Sequence, residues 1–445
     1  MSESLQAKLQ RLGVVKGTRN LKVPPSRPHA PVVPPREVEP VSFRPSLSGR
    51  QDDDPPPLSA LLPGGVIVET AVGGCFVLDK VYPLTYQHGD DKLADLLAFS
   101  AADVGAFTQD ARFHDVQFRQ MLFLDTETTG LAGAGTLAFM VGVAFFEQEA
   151  LVVRQYFLRD HGDEAAMLTL LSDLLAEKSG LVTFNGRSFD IPLLDGRYLI
   201  NRMFTDLRER PHLDLLHPAR RLWRQRLGSC ALGSLEQTLL GLRRTQEDVP
   251  GWLIPTLYQD YLRTGDAREL LRVFYHNQID RLSMVTLAAR VMHLFAHTTP
   301  NQHPVDLYSL GKWQIDLHLP EAAEQTLQWA AAGDLPLELY HQALQQLGQL
   351  LKRQERRDEA VPLWQQIAAT SFDSIDAHVE LAKHYEWQQQ DYETAVYWTE
   401  AALKLTKGWG AGQAALVRGE LEHRLQRLQR KLKERDTNLT GDGYS

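Results

Sequence analysis

Apolar and polar positions change period along this chain. Between about 61 and 115, GGVIVET and GCFVLDKVYPL alternate as strands do, and DDKLADLLAF carries helical spacing. From residue 120, MLFLD, LAFMVGVAFFE and LVVRQYFL predict three strands in hairpin-like succession. DEAAMLTLLSDLLAEK then predicts an amphipathic helix, LVTFNG a fourth strand, and SFDIPLLDGRYLINRM a second helix. The pattern stays helical to about 297, closing on the long segment RELLRVFYHNQIDRLSMVTLAARVMHLFAH. The expectation is a mixed α/β sheet with flanking helices.

After residue 303 only helical patterning remains, and it repeats. LGKWQIDLHLPEAAEQTL, starting at Leu310, matches LGQLLKRQERRDEAVPLW, starting at Leu347, and then LAKHYEWQQQDYETAVYW near Leu381. Ala360 and Val361 correspond to Ala395 and Val396. These spacings lie close to the ~34-residue tetratricopeptide unit, with small residues where paired helices approach. At the other end, eleven of the 23 prolines fall within residues 24–57, which excludes ladders and helices there and predicts an extended arm. Leu5, Leu9 and Leu12 share a face of a short helix before it. The expected organisation is a disordered proline-rich arm over 1–60, a small accessory segment over 61–115, an α/β domain over 116–297, helical repeats over 303–435 and a flexible tail over 436–445.

Composition narrows the setting. The 445 residues carry a net charge of −9, which disfavours coating nucleic acid or anionic membrane by bulk charge. Two cysteines exclude a disulfide framework and a four-cysteine zinc site, and fit a reducing compartment. There is no apolar signal segment at the N-terminus and no run long enough to span a bilayer, so a cytoplasmic protein is expected.

Four acids carry the chemistry. Asp125 and Glu127 end the strand MLFLDTETTG, and at positions i and i+2 they project from one face. Carboxylates that close repel unless a cation neutralises them, and hard divalent ions choose oxygen ligands. Asp190 stands at the start of a helix after the strand and turn LVTFNGRSF. Asp280 lies in the long helix, with His276 one turn before it on the same face.

The order D-x-E on a strand, N-G-x-x-F-D at a strand–turn–helix, and H-x-x-x-D on a later helix resembles the DEDD 3′–5′ exonucleases of the ribonuclease-H-like superfamily. Within them the chain resembles the YprB-like proteins, which often carry tetratricopeptide repeats behind the nuclease domain. The resemblance covers roughly residues 60–297. It implies a ribonuclease-H-like fold and a catalytic set of Asp125, Glu127, Asp190, Asp280 and His276. The four acids would hold two Mg²⁺ or Mn²⁺ ions, with Asp125 as bridging ligand and His276 orienting or deprotonating the attacking water. The last motif departs from both subtypes of the family, since His276 stands four residues before Asp280 where one subtype has Tyr, and Tyr275 stands five before it where the other has His.

Around this set, Thr126, Thr128 and Asn185 are candidate contacts to the terminal nucleotide, as is the loop GLAGAGT. Asp214 is read as a helix-start cap. Residues 208–226 hold six arginines against two acids, with Trp223 among them, so Arg220, Arg221 and Trp223 are candidate nucleic-acid contacts. The expected activity is 3′–5′ exonucleolytic hydrolysis of single-stranded DNA or RNA, with the repeats available to a protein partner. The alternative is a catalytically weak nucleic-acid-binding scaffold recruited through those repeats, and an endonuclease would use the same metals.

Overall fold

The computed structural model describes residues 55–441 except 131–134, 246–247, 372–373 and 410. The arm up to 54 with its Leu5–Leu9–Leu12 face, most of the GLAGAGT loop and the end of the tail lie outside the described residues. The chain divides into two compact units, one spanning Arg50–Leu319 and the other taking in Pro320–Ser445.

The first unit is built on a seven-stranded mixed sheet. Its strands are β1 (Val66–Thr70), β2 (Gly73–Pro83), β5 (Met121–Thr128), β6 (Ala138–Glu147), β7 (Ala150–Phe157), β8 (Gly180–Thr183) and β9 (His212–Asp214). Two short strands, β3 (Gln87–His88) and β4 (Asp91–Lys92), pair by themselves. The sheet order is β1-β2-β7-β6-β5-β8-β9. The run β5–β6–β7 is an antiparallel meander, β2 and β1 extend it antiparallel, and β8 and β9 add parallel to β5. The expected hairpin succession and mixed sheet are therefore present. The expected accessory strands, β1 and β2, belong to the same sheet, and β9 arises where only a helix start was expected.

Helices cover both faces: α1 (Ala102–Thr108), α2 (Glu164–Ala176), α3 (Asp190–Ile200), α4 (Leu216–Leu227), α5 (Leu232–Thr238), α6 (Ile254–Thr264), α7 (Leu270–Ala296) and α8 (Pro304–Asp316). Alternation along β5 decides what faces what. Leu122 and Leu124 join the core shared with α2, α3 and α6. Met121 and Phe123 join the opposite core, under α4 and most of α7. Asp125 and Glu127 continue the face of Met121 and Phe123, so they emerge beneath α7. The helix α8, expected to open the repeats, packs on α4 within this unit.

Among its described residues the second unit is all helical: α9 (Pro320–Ala332), α10 (Leu337–Arg353), α11 (Arg357–Thr370), α12 (Asp376–Trp387), α13 (Tyr392–Leu405) and α14 (Ala411–Gly441). Each packs on the next. Small residues permit the close approach: a Cβ on Gly348 of α10 would lie 2.6 Å from the Trp364 indole nitrogen of α11. Glu386 of α12 is buried and bonded by Arg424, Arg427 and Lys431, which ties α14 to the preceding helices.

Candidate active site

The site lies where β5 ends beneath α7. A register shift between Glu127 and Thr128 breaks the β5–β6 ladder there. In the ladder, Asp125 pairs with Gly142 of β6, and Gly142 with Gln155 of β7. This row faces α7. Gly142 leaves a space that Asn277 and Arg281 fill, since a Cβ there would lie 2.0 Å from Asn277 Oδ1 and 2.6 Å from Arg281 Nη1. Gln155 donates to Asn277 Oδ1 at 3.1 Å, and Asn277 donates to Glu127 Oε1 at 3.2 Å. Arg281, with a side chain 0% exposed, donates to the carbonyls of Asp125 and Gly142 and to Asp125 Oδ2 at 2.6 Å.

Asp190 opens α3. Its Oδ1 accepts from the Thr126 amide at 3.0 Å and the Thr126 hydroxyl at 2.5 Å. The turn leading into it is clamped from β9. Asp214 accepts the amides of Asn185 and Arg187, and also that of Leu216, so it fixes the turn as well as the start of α4. Asn185 takes a left-handed conformation at φ 68°, a backbone region that asparagine tolerates. From α7, His276 and Asp280 reach the same space. His276 Nδ1 lies 2.7 Å from Asp248 Oδ1, and its Nε2 lies 3.6 Å from Asp280 Oδ2. Arg244 bonds Glu236, Asp248 and Asp280 and stands 3.0 Å from His276 Nδ1.

One cleft of about 670 Å³ is lined by all four acids together with His276 and Arg281. Over residues 122–292, which include the four acids, the chain matches the model of the ribonuclease H (RNase_H) superfamily. It is also 32% identical over 374 residues to the uncharacterized protein YprB of Bacillus subtilis (strain 168), covering 80% of this chain and 86% of that one. The chain belongs to the YprB family within the ribonuclease H superfamily. That membership implies a nuclease-type hydrolase that acts on nucleic acid with divalent metal. No helix among the described residues is long and apolar enough to cross a membrane.

In this YprB-family chain, one group of ligating atoms gathers within 4.8 Å: Glu127, His276 and Asp280. The two carboxylates suit hard ions such as Mn²⁺ and Mg²⁺, and the imidazole stands beside them. Asp125 and Asp190 lie outside that group but share the cleft. The hydrogen bonds described for them fall on Oδ2 of Asp125 and Oδ1 of Asp190, leaving the second oxygen of each for a cation.

Crowding shows in the electrostatics. Burial, then the neighbouring charge of Asp125, pushes Glu127 up to about 8. Burial and the same neighbour push Asp190 up to about 8. Asp125 is raised by burial against the pull of Arg281. Burial alone would lower His276, but its bond to Asp248 and the charges of Asp280 and Glu127 raise it to about 9. Such a set gains by taking up a divalent cation, which favours the charged carboxylates and the neutral imidazole.

The outer candidates divide. Thr126, Asn185 and Arg220 line the cleft. Thr128 does not; its hydroxyl donates to the Gly130 carbonyl at 2.7 Å. Arg221 pairs with Asp316 and lines a neighbouring cavity. Trp223 is 3% exposed within the core under α4, so no face of its ring is open to a base. Tyr275 packs partly buried and accepts the Thr245 amide at 3.4 Å, while His276 reaches the cleft. Arg281, Arg244, Asn277 and Asp248 bond the acids or His276 directly, and the sequence motifs do not single them out. The only signal was that Asn277 and Arg281 interrupt an apolar helix.

Proposed function

We propose that the first unit is a 3′–5′ exonuclease acting on single-stranded nucleic acid. The observation that carries this reading is the convergence of Asp125, Glu127, Asp190, Asp280 and His276 on one cleft at the end of β5. In it, Asp125, Glu127, Asp190 and Asp280 would hold two Mg²⁺ or Mn²⁺ ions, Asp125 serving as the ligand common to both. The ions, when bound, supply Lewis-acid stabilisation of the phosphodiester and lower the pKa of the attacking water. Asp125 is held for this by Arg281, Glu127 by Asn277, and Asp190 by Thr126. His276, oriented by Asp248, takes the proton from the attacking water at Nε2. Thr126 and Asn185 stand where the terminal nucleotide enters. The helical pairs of the second unit serve as tetratricopeptide-like repeats that engage a partner, a reading supported by the repeat spacing and by the small residues between helices.

The deciding experiment incubates the protein with 5′-labelled single-stranded DNA and RNA in Mg²⁺, Mn²⁺ or EDTA. A metal-dependent ladder of shortened products, absent for Asp125→Asn, is expected. Wild type and Asp125→Asn inert alike under every condition would sink the reading.

A further inference from the structure

The arginines between 208 and 226 read as one basic patch in the sequence, but the structure sorts them. Arg208 pairs with Asp195, Arg210 with Asp206, Arg221 with Asp316 and Arg226 with Asp306. Among the described residues, no acid pairs with Arg220 or Arg224. These two stand one turn apart on α4, so they share a face. Both line the acid cleft, and both also line an adjoining cavity of about 510 Å³ between α4 and α8. Lys312 of α8 is a third exposed cation there that no acid pairs with among the described residues, its Nζ 5.5 Å from the Tyr308 ring. The acid of that lining, Asp316, is already taken by Arg221.

The acid cleft and the adjoining cavity thus share Arg220 and Arg224, with the acids at one end and Lys312 at the other. A ligand that fits both ends has one terminus fit for metal-bound chemistry and an extended polyanionic body. We infer that Arg220, Arg224 and Lys312 form a rail for the backbone phosphates of a single strand whose terminus lies in the acid cleft. The assignment of the terminus rests on the nuclease reading; the rail itself rests on the sorting of the charges. A single strand engages such a rail by releasing counterions, so its affinity falls with salt by a slope of about 0.7 per phosphate contact.

The test measures anisotropy of 5′-fluorescein-labelled 15-nucleotide single-stranded DNA and RNA with the full chain in EDTA, between 50 and 200 mM KCl. Arg220→Gln/Arg224→Gln/Lys312→Gln is expected to bind at least about tenfold more weakly at 50 mM, with the salt slope reduced by about 2. Arg220→Lys/Arg224→Lys keeps the charges and should keep the slope, which separates lost charge from lost fold. Arg263→Ala/Arg268→Ala, outside both linings, should match wild type. The rail is overturned if the triple Gln variant keeps wild-type affinity and slope, or if wild type binds neither strand. Because binding is read in EDTA, the two readings part cleanly. A wild type that binds through these residues and never shortens a strand with Mn²⁺ defeats the nuclease reading alone. One that shortens strands while the triple variant binds unchanged defeats the rail alone.

Discussion

At the scale of single residues, Arg281 is the strongest constraint in the site. Its guanidinium is wholly buried, bonds two backbone carbonyls and pairs with Asp125. Removing one partner of a buried pair leaves the other uncompensated, which costs about 3–5 kcal/mol. Arg281→Met should therefore lower stability in EDTA by at most that much, since Asp125 is partly exposed and can take up a proton, as read by denaturant unfolding. Mn²⁺ should restore part of the loss, because the ion supplies the positive charge that Asp125 has lost. Equal stability of the variant and wild type in EDTA would refute a structural role for the pair. Asp248 makes a second, subtler case. It fixes His276 through Nδ1 and holds the imidazole up at about 9. Asp248→Asn weakens that hold, so His276 should titrate lower, as read by imidazole NMR shifts in the metal-free protein. An unchanged titration would assign the raised value to Asp280 and Glu127 alone.

At the scale of elements, the site depends on how β6 lets α7 approach. Gly142 faces α7 directly, and the space above it holds Asn277 and Arg281. Gly142→Ala must push both away, breaking the bond to Glu127 and the pairing of Asp125 together. We expect weakened, not abolished, Mn²⁺ binding by calorimetry while circular dichroism stays near native; normal binding would show that the crowding relaxes without touching the acids. This dependence also explains what could be read beforehand. The β5 strand and its two acids were legible because an apolar run with period-2 alternation is a local signal, and His276 and Asp280 because i,i+4 spacing is. Membership of β1 and β2 in the main sheet was not, since the β2–β7 pairing joins residues 67 to 81 positions apart. Nor was β9, three residues long, whose Asp214 looks like a cap until the turn at Asn185 is folded against it. Arg281 looks like a solvent-facing charge on a helix, and only the glycine across the sheet reveals that it points inward.

At the scale of the whole molecule, acid sensitivity should arise away from the acid cleft. His88 is buried and bonded to Ser283 at 2.9 Å, which ties the β3–β4 pair to α7. His212 is buried on β9 and bonded to Thr183 of β8 at 2.8 Å. Burial lowers each from 6.5 to about 4, and neighbouring arginines add to it: Arg244 for His88 and Arg187 for His212. Both are therefore neutral in the folded unit at pH values where the unfolded chain already binds a proton. A lowered folded pKa gives stability that is complete above 6.5 and is lost as pH falls toward 4. A gap of that size corresponds to at most about 3 kcal/mol per histidine. The difference in melting temperature between wild type and His88→Gln should accordingly grow as pH falls from 6.5 to 4.5 and stay small from 6.5 to 7.5, because the raised groups Glu127, Asp190 and His276 titrate alike in both. His88→Gln retains a hydrogen-bonding group without the proton uptake, so its melting temperature should fall less steeply over the acid interval. A slope identical to wild type in His88→Gln and in His212→Gln would place the acid sensitivity in the carboxylates instead.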